Sequence, residues 1–396
     1  MIEEMPSETR AATRHGVMVM VASVMPVMAI IALVPVLPLL LQEFAAVPGH
    51  AVLVPVVLTV PALCVALFSP LAGWLADRMG RKTLLIATLL AYAGFGILPW
   101  FLTDLFQILA ARIALGLVEA VIMTVSTVLI GDYFEGERRE KWISVQIAAA
   151  SVSAIVLIAI SGALAEMLGS RGPFLLYLLA LPAALAAALI LFEPQVTQSH
   201  SSQESGRFPF AAVLPLALTT VFVGIAFYVV IVQLGPILQM SGDVPPIAIG
   251  LIGAGCNIAV ALGALVFHRS GREAGSGLLA LGLALSALGY AGAGLAGSLP
   301  LIAACLAIAS VGSGIMLPNM LTWTMRTLPP ESRGRGMGVW TGAFFLGQFL
   351  APVVATAVTG LSGALATTLL ILAATLATAA VAALMVSRNL PQAEPA

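Results

Sequence analysis

Runs of twenty or more apolar residues recur along the whole of this chain, separated by short polar stretches. Each run matches the length a helix needs to cross a hydrocarbon layer ~30 Å thick. Only 9% of the 396 residues are charged, where a soluble chain carries about a quarter. Mean hydropathy is +1.08. In lipid every backbone N–H and C=O must be satisfied inside the protein, so the runs fold as helices or as a closed barrel. A barrel would show short alternating segments instead. The expected class is an all-α integral membrane protein.

Twelve apolar segments can be placed, at about 17–41, 50–76, 83–102, 105–131, 143–168, 173–192, 210–240, 247–267, 275–296, 299–325, 334–361 and 363–387. The first is too long for the core of a signal peptide and reads as a retained helix. The polar stretch Pro194–Arg207 is rich in Ser and Gln and reads as a flexible linker. It divides the chain into a six-segment half over 1–193, a linker over 194–209 and a second half over 210–396. With the N-terminus in the cytoplasm, 15 of the 17 basic residues fall on the inner side. Arg112, inside a segment, and Arg171, in an outer loop, are the other two. This bias predicts cytoplasmic termini and a multi-pass protein of the cell's inner membrane.

The halves echo each other. Gly73-Trp74-Leu75 followed by Arg78, Gly80 and Arg81 has a counterpart in Gly263-Ala264-Leu265 followed by Arg269, Gly271 and Arg272. The loop Gly136–Lys141 answers Pro330–Arg335. Parallel repeats of six helices are a transporter architecture, with the site between the repeats near mid-membrane.

Other functions find no support in the residues. A net charge of −1 implies no nucleic-acid partner. Cys64, Cys256 and Cys305 lie on separate segments and form neither a disulfide framework nor a metal spacing. His15, His50, His200 and His268 are scattered through termini and loops. No phosphate loop G-x-x-x-x-G-K-[ST] occurs, so ATP is not the power source. Gly292-Ala-Gly294-Leu-Ala-Gly297 has a dinucleotide-binding spelling but ends an apolar helix. No metal, no cofactor and no enzymatic activity are expected. A receptor would carry a sizeable soluble domain, and none is visible.

Two sets of residues stand out. Asp77, Arg78, Arg81 and Lys82 crowd a hinge between the second and third segments, bracketed by Gly73 and Gly80. Topogenic charge accounts for the basic residues but does not require Asp77 or the glycines. Arg112 and Glu119 lie inside the fourth segment, seven residues apart, and so on one helical face about 10 Å apart in rise. Intramembrane charges are costly and generally face an interior cavity. Burial favours the protonated carboxyl, and a nearby guanidinium favours the carboxylate. That opposition suits proton loading and release. A static Arg112–Glu119 pair and direct binding of a cationic substrate by Glu119 are the alternatives. Tyr228, Gln233, Asn257, Asn319, Trp323 and Gln348 are polar or amphipathic residues near mid-helix. Each either lines a cavity or bonds a neighbouring helix.

The hinge carries a family resemblance. The chain resembles the major facilitator superfamily, whose signature G-x-L-x-D-R-x-G-R-K is met at Gly73, Leu75, Asp77, Arg78, Gly80, Arg81 and Lys82. Within it the chain is most similar to the proton antiporters of drugs and metabolites. The resemblance implies twelve helices in two pseudo-symmetric halves. It also implies a latch in which Asp77 caps helix 11 of the other half, starting near Ser332–Gly336, and Arg81 pairs with Asp132. Arg112 and Gly116 match the R-x-x-x-G of helix 4, whose arginine the family associates with proton coupling. The fifth segment departs from the antiporter pattern, with Gly162 alone and no internal proline. The resulting expectation is proton-coupled efflux of a small organic or amphipathic compound by a monomer in the bilayer. Proton-coupled uptake of a metabolite is the alternative, followed by a non-transporting receptor.

Overall fold

A computed structural model describes residues 12–194, 210–270, 274–328 and 333–389. Among these the chain is helical throughout. Eleven helical stretches are long and apolar enough to cross a membrane. The longest, Gly136–Ile190, is not one straight rod. It comprises α5 (Gly136–Leu168), a 3-10 stretch Gly169–Leu179, and α6 (Ala180–Ile190). The break falls at Gly169, which has φ 70, and Gly172 then lies against the Leu164 carbonyl one turn back into α5.

The other spans follow the apolar runs. α1 is composite: Thr13–Val24, a 3-10 turn Met25–Val27 and Met28–Ile31, then Leu37–Glu43. Pro26, Pro35 and Pro38 explain the interruptions, because proline donates no backbone N–H and crowds the preceding turn. α2 is His50–Met79, α3 Arg81–Ile97 and α4 Leu105–Tyr133. α7 is Phe210–Val232, followed by the short helix Leu234–Leu238. α8 is Pro246–Arg269, α9 Ser276–Leu295, α10 Leu299–Thr327, α11 Arg333–Ser362 and α12 Leu365–Asn389. α5 thus starts well before the apolar run at 143, carrying the charged GERREK as its first two turns.

The chain divides into two compact units, Met1–Ser202 and Gln203–Ala396. In unit 1, α2 and α3 pack on α4, α3 on α6, and α1 on α4, α5 and α6. In unit 2, α8 and α9 pack on α10, α9 on α12, and α7 on α10 and α11. Lipid supplies no hydrophobic drive between helices, so close backbone approach at small residues does that work. Unit 2 depends on it heavily. A Cβ on Gly314 of α10 would strike the Val260 carbonyl of α8. One on Gly289 of α9 would come 2.5 Å from the Cys305 carbonyl, and one on Gly347 of α11 would come 2.9 Å from Gly224 Cα of α7.

Candidate functional site

Unit 1 is tied together at Arg112. Its side chain is fully buried in α4. Nε donates to the Val57 carbonyl at 2.9 Å, Nη1 to the Tyr177 hydroxyl at 2.6 Å, and Nη2 to the Ala29 carbonyl. Both carbonyls lack a donor from their own helix. Val57 has Pro61 four residues on, so its carbonyl has no helical donor. In α1, Leu33 N–H turns to the Ile30 carbonyl and Val36 N–H to Leu33, leaving Ala29 and Ala32. Ser161 of α5 donates to the Ala32 carbonyl, and Tyr92 of α3 to the Met25 carbonyl at 2.6 Å. The carbonyls exposed by the broken α1 are thus collected by side chains from α3, α4, α5 and the 3-10 stretch.

Glu119 is left out of this arrangement. It is 4% exposed, and its Oε2 has no hydrogen-bond partner. No hydrogen bond or ion pair joins it to Arg112 among the described residues, so the static pair does not form. It lies within electrostatic reach of Arg112, Cys64, Tyr92 and Tyr177. One turn before it, Gly116 lets α4 cross α2. A Cβ there would come 2.6 Å from Pro61 Cα and 2.9 Å from Cys64 Cβ. Ser126, two turns further along the Glu119 face, is also fully buried with an unpartnered hydroxyl.

The hinge forms a second cluster. Gly80 has φ 81, a conformation that favours glycine, and it both ends α2 and precedes α3. The Glu193 carboxylate, just past α6, accepts from the backbone N–H of Arg81 at 2.5 Å and of Lys82 at 3.0 Å. It caps the positive end of α3. Arg81 Nη1 meets Asp132 Oδ2 at 2.5 Å. Arg78 lies over the Trp74 ring, 4.1 Å from its centroid. A Cβ on Gly73 would meet only Thr124 Cγ2, at 4.0 Å. Unit 1 therefore has room for a side chain there, and close approach within it does not explain the glycine. The Asp77 side chain lies outside the described residues.

Two residues of this region escaped the sequence reading. Glu193 stands at the margin of the linker, where nothing local marks it as a cap. His15 is not a loop residue. It is 2% exposed in α1, with its ring centroid 5.8 Å from Tyr133 and 5.1 Å from Phe192.

The polar candidates of unit 2 separate into two groups. Asn319 of α10 holds the chain ahead of α9, accepting from Gly275 N–H at 2.8 Å and donating to its carbonyl at 3.0 Å. Asn257 donates to the Gly253 carbonyl of its own helix at 2.9 Å. Gln233 is buried where α7 breaks before Leu234–Leu238. Trp323 is half-buried on α10. Tyr228 packs against Phe344 of α11, centroids 5.4 Å apart, and Gln348 is buried with an unpartnered Oε1.

The sequence profile of the Major Facilitator Superfamily matches residues 19–276 and 216–396. The chain belongs to the major facilitator superfamily. Transport rather than enzymatic turnover goes with that membership, and no group of metal-binding side chains occurs among the described residues. Many chains of known structure match this one in fold. An inward-facing, occupied bacterial homologue of the human lysosomal transporter Spinster superposes with a TM-score of 0.77 at 16% identity, over 96% of this chain and 98% of that one. The nucleoside transporter NupG gives 0.76 at 12% identity, over 94% and 99%. An auto-inhibited peptide transporter of the POT family gives 0.72 at 14%, over 97% and 99%. No match was found among curated protein sequences.

Proposed function

We propose that this superfamily member is a secondary transporter working by alternating access, exporting a small organic or amphipathic compound in exchange for protons. Glu119 is the residue that takes up and releases the proton. The observation that carries this is the division of bonds on α4: Arg112 spends its donors on Val57, Ala29 and Tyr177, and Glu119 Oε2 has none. A carboxylate at mid-membrane costs ~2.5–3.5 kcal/mol on insertion scales. Glu119 is therefore neutral when nothing compensates it. It ionises when water or a cationic substrate reaches it. Arg112 acts on this step by position, anchoring α1 and α2 around Glu119.

Around that centre the twelve-helix arrangement follows, with six helices in each half and a cytoplasmic linker over 194–209. The like pairings, α2, α3 and α1 on α4 and α8, α9 and α7 on α10, support the pseudo-symmetry. Both termini are cytoplasmic and the membrane is the cell's inner one, on the basic-residue bias. Gly73, Asp77, Arg78, Gly80, Arg81 and Asp132 form a latch that holds the inner side closed. Tyr228, Gln233, Trp323 and Gln348 face the substrate path, and the protein works as a monomer.

Proteoliposomes with an imposed pH gradient test the proposal. Glu119→Gln abolishes gradient-driven transport while leaving substrate exchange across the membrane intact. A Glu119→Gln protein that keeps full gradient-driven transport overturns it. The plain α5, with Gly162 and no internal proline, favours uptake by proton symport as the second reading. Accumulation of substrate on the acid-opposed side, rather than its loss, selects between them.

A further inference from the structure

The rings of unit 2 gather on one seam. On α11, Trp340, Phe344 and Gln348 follow at intervals of four residues and so share a face. Trp340 stacks on Phe344, with centroids 5.5 Å apart and planes 3° from parallel. Across the seam on α7, Tyr228 and Phe227 lie 5.4 and 6.0 Å from Phe344. Phe345 meets Phe344 edge-on at 6.1 Å. The seam lies beside the Gly224–Gly347 crossing, where the two backbones touch.

Two polar atoms in this seam have no partner. Gln348 is 6% exposed, and its Oε1 accepts no hydrogen bond. The buried Trp340 Nε1 donates none. Buried polar groups are satisfied in more than nine cases in ten, so two on one face of one helix call for a reason. They lie eight residues apart, about 12 Å of rise, with Phe344 between them. The remaining ionisable chemistry is absent here. The α7, α8, α9, α10, α11 and α12 sequences contain no Asp or Glu, so no carboxylate in unit 2's helices is there to pair with a cation.

We propose that the α7–α11 seam is a binding site for a flat, uncharged aromatic compound with a hydrogen-bond donor on one edge and an acceptor on the opposite edge. The donor satisfies Gln348 Oε1 and the acceptor takes the Trp340 N–H. The ring lies against Tyr228, Trp340 and Phe344. The site deepens the transporter reading by naming a substrate class, and it rests on that reading for its purpose.

Acridone fits this description, with N–H and C=O on opposite edges of a planar neutral ring system. N-methylacridone keeps the ring and loses the donor. Fluorescence anisotropy of each is titrated with the full-length protein in nanodiscs, with empty nanodiscs as the partition control. Saturable binding of acridone is expected, about tenfold tighter than N-methylacridone, the size of one well-made neutral hydrogen bond. Gln348→Leu removes that difference by weakening acridone alone. Trp340→Phe keeps the stack and weakens both compounds. No saturable binding by the wild-type protein, or acridone binding unchanged in Gln348→Leu, overturns the site. Because binding is read at equilibrium without a gradient, its failure is separate from that of Glu119 coupling. Acridone binding with no proton-driven transport refutes coupling and leaves the seam standing.

Discussion

Replacing Arg112 by leucine should loosen unit 1 as a whole. Three short bonds are lost, to Val57, Ala29 and Tyr177, together with a long one to the Leu58 carbonyl at 3.4 Å. The reference state matters for their worth. In a membrane the unfolded chain still has α4 inserted, so the cost of holding a guanidinium in the bilayer is carried by both states and largely cancels. What remains is the bonding, measured between membrane helices at ~0.6–1.7 kcal/mol each. Charged donors belong at the upper end, so three of them give about 5 kcal/mol. Neither carbonyl has a helical donor to fall back on: Pro61 cannot supply one to Val57, and the break in α1 has turned Leu33 away from Ala29, which keeps only the Tyr177 hydroxyl at 3.3 Å. Arg112→Lys keeps the charge but reaches one acceptor at a time, and should recover about a third of the loss. Thermal unfolding in detergent, followed with a thiol-reactive dye, reads this directly. Cys64, Cys256 and Cys305 are free, and the first two are buried until the helices separate. The expected fall in Tm for Arg112→Leu is about 10 °C. An unchanged Tm for Arg112→Leu would refute the reasoning and return Arg112 to a purely electrostatic role.

Three further outcomes follow from local geometry. Gly80→Ala forces a side chain into φ 81 and sets its Cβ 3.2 Å from the Glu193 carboxylate. It should cost ~1–3 kcal/mol, and equal melting of variant and wild type would contradict the hinge geometry. Gly314→Ala drives a methyl into the Val260 carbonyl and should lower Tm, whereas Gly255→Ala, with nothing within 4 Å, should hold or raise it. Asn319→Leu strips the Gly275 N–H of its partner and leaves the Gly275 C=O with the Leu279 N–H alone. It should destabilise by about 2 kcal/mol, and hydrogen exchange at the start of α9 should accelerate; exchange unchanged there would show that Asn319 is free to serve the substrate path.

Much of the fold was legible because bilayer thickness and backbone satisfaction leave a chain this apolar few options. The multi-span helical class, the charged hinge and the burial of Glu119 inside an apolar helix all follow from where charges interrupt long apolar runs. The Arg81–Asp132 contact was also accessible, since the signature says which loop meets which helix end. Partner choice at Arg112 was not. Seven-residue spacing puts Arg112 and Glu119 on one face of α4, and from sequence the carboxylate is the natural partner. The Val57, Ala29 and Leu58 carbonyls and the Tyr177 hydroxyl, all from other segments, compete for the guanidinium, and Ala29 and Val57 are open to it only because α1 breaks and Pro61 of α2 withholds a donor.

The same limit explains Glu193, His15 and the two asparagines. A residue's partner across a helix interface depends on helix rotation, which glycine crossings such as Gly314–Val260 and Gly224–Gly347 determine at the backbone. Sequence alone determined that this is a membrane-spanning helical transporter with a charged hinge and an acid inside an apolar helix. Tertiary structure decided which polar groups are spent on holding helices together and which are left over. In a medium without water those leftovers, Glu119, Ser126, Trp340 and Gln348, carry hydrogen-bonding capacity that the fold itself leaves unused.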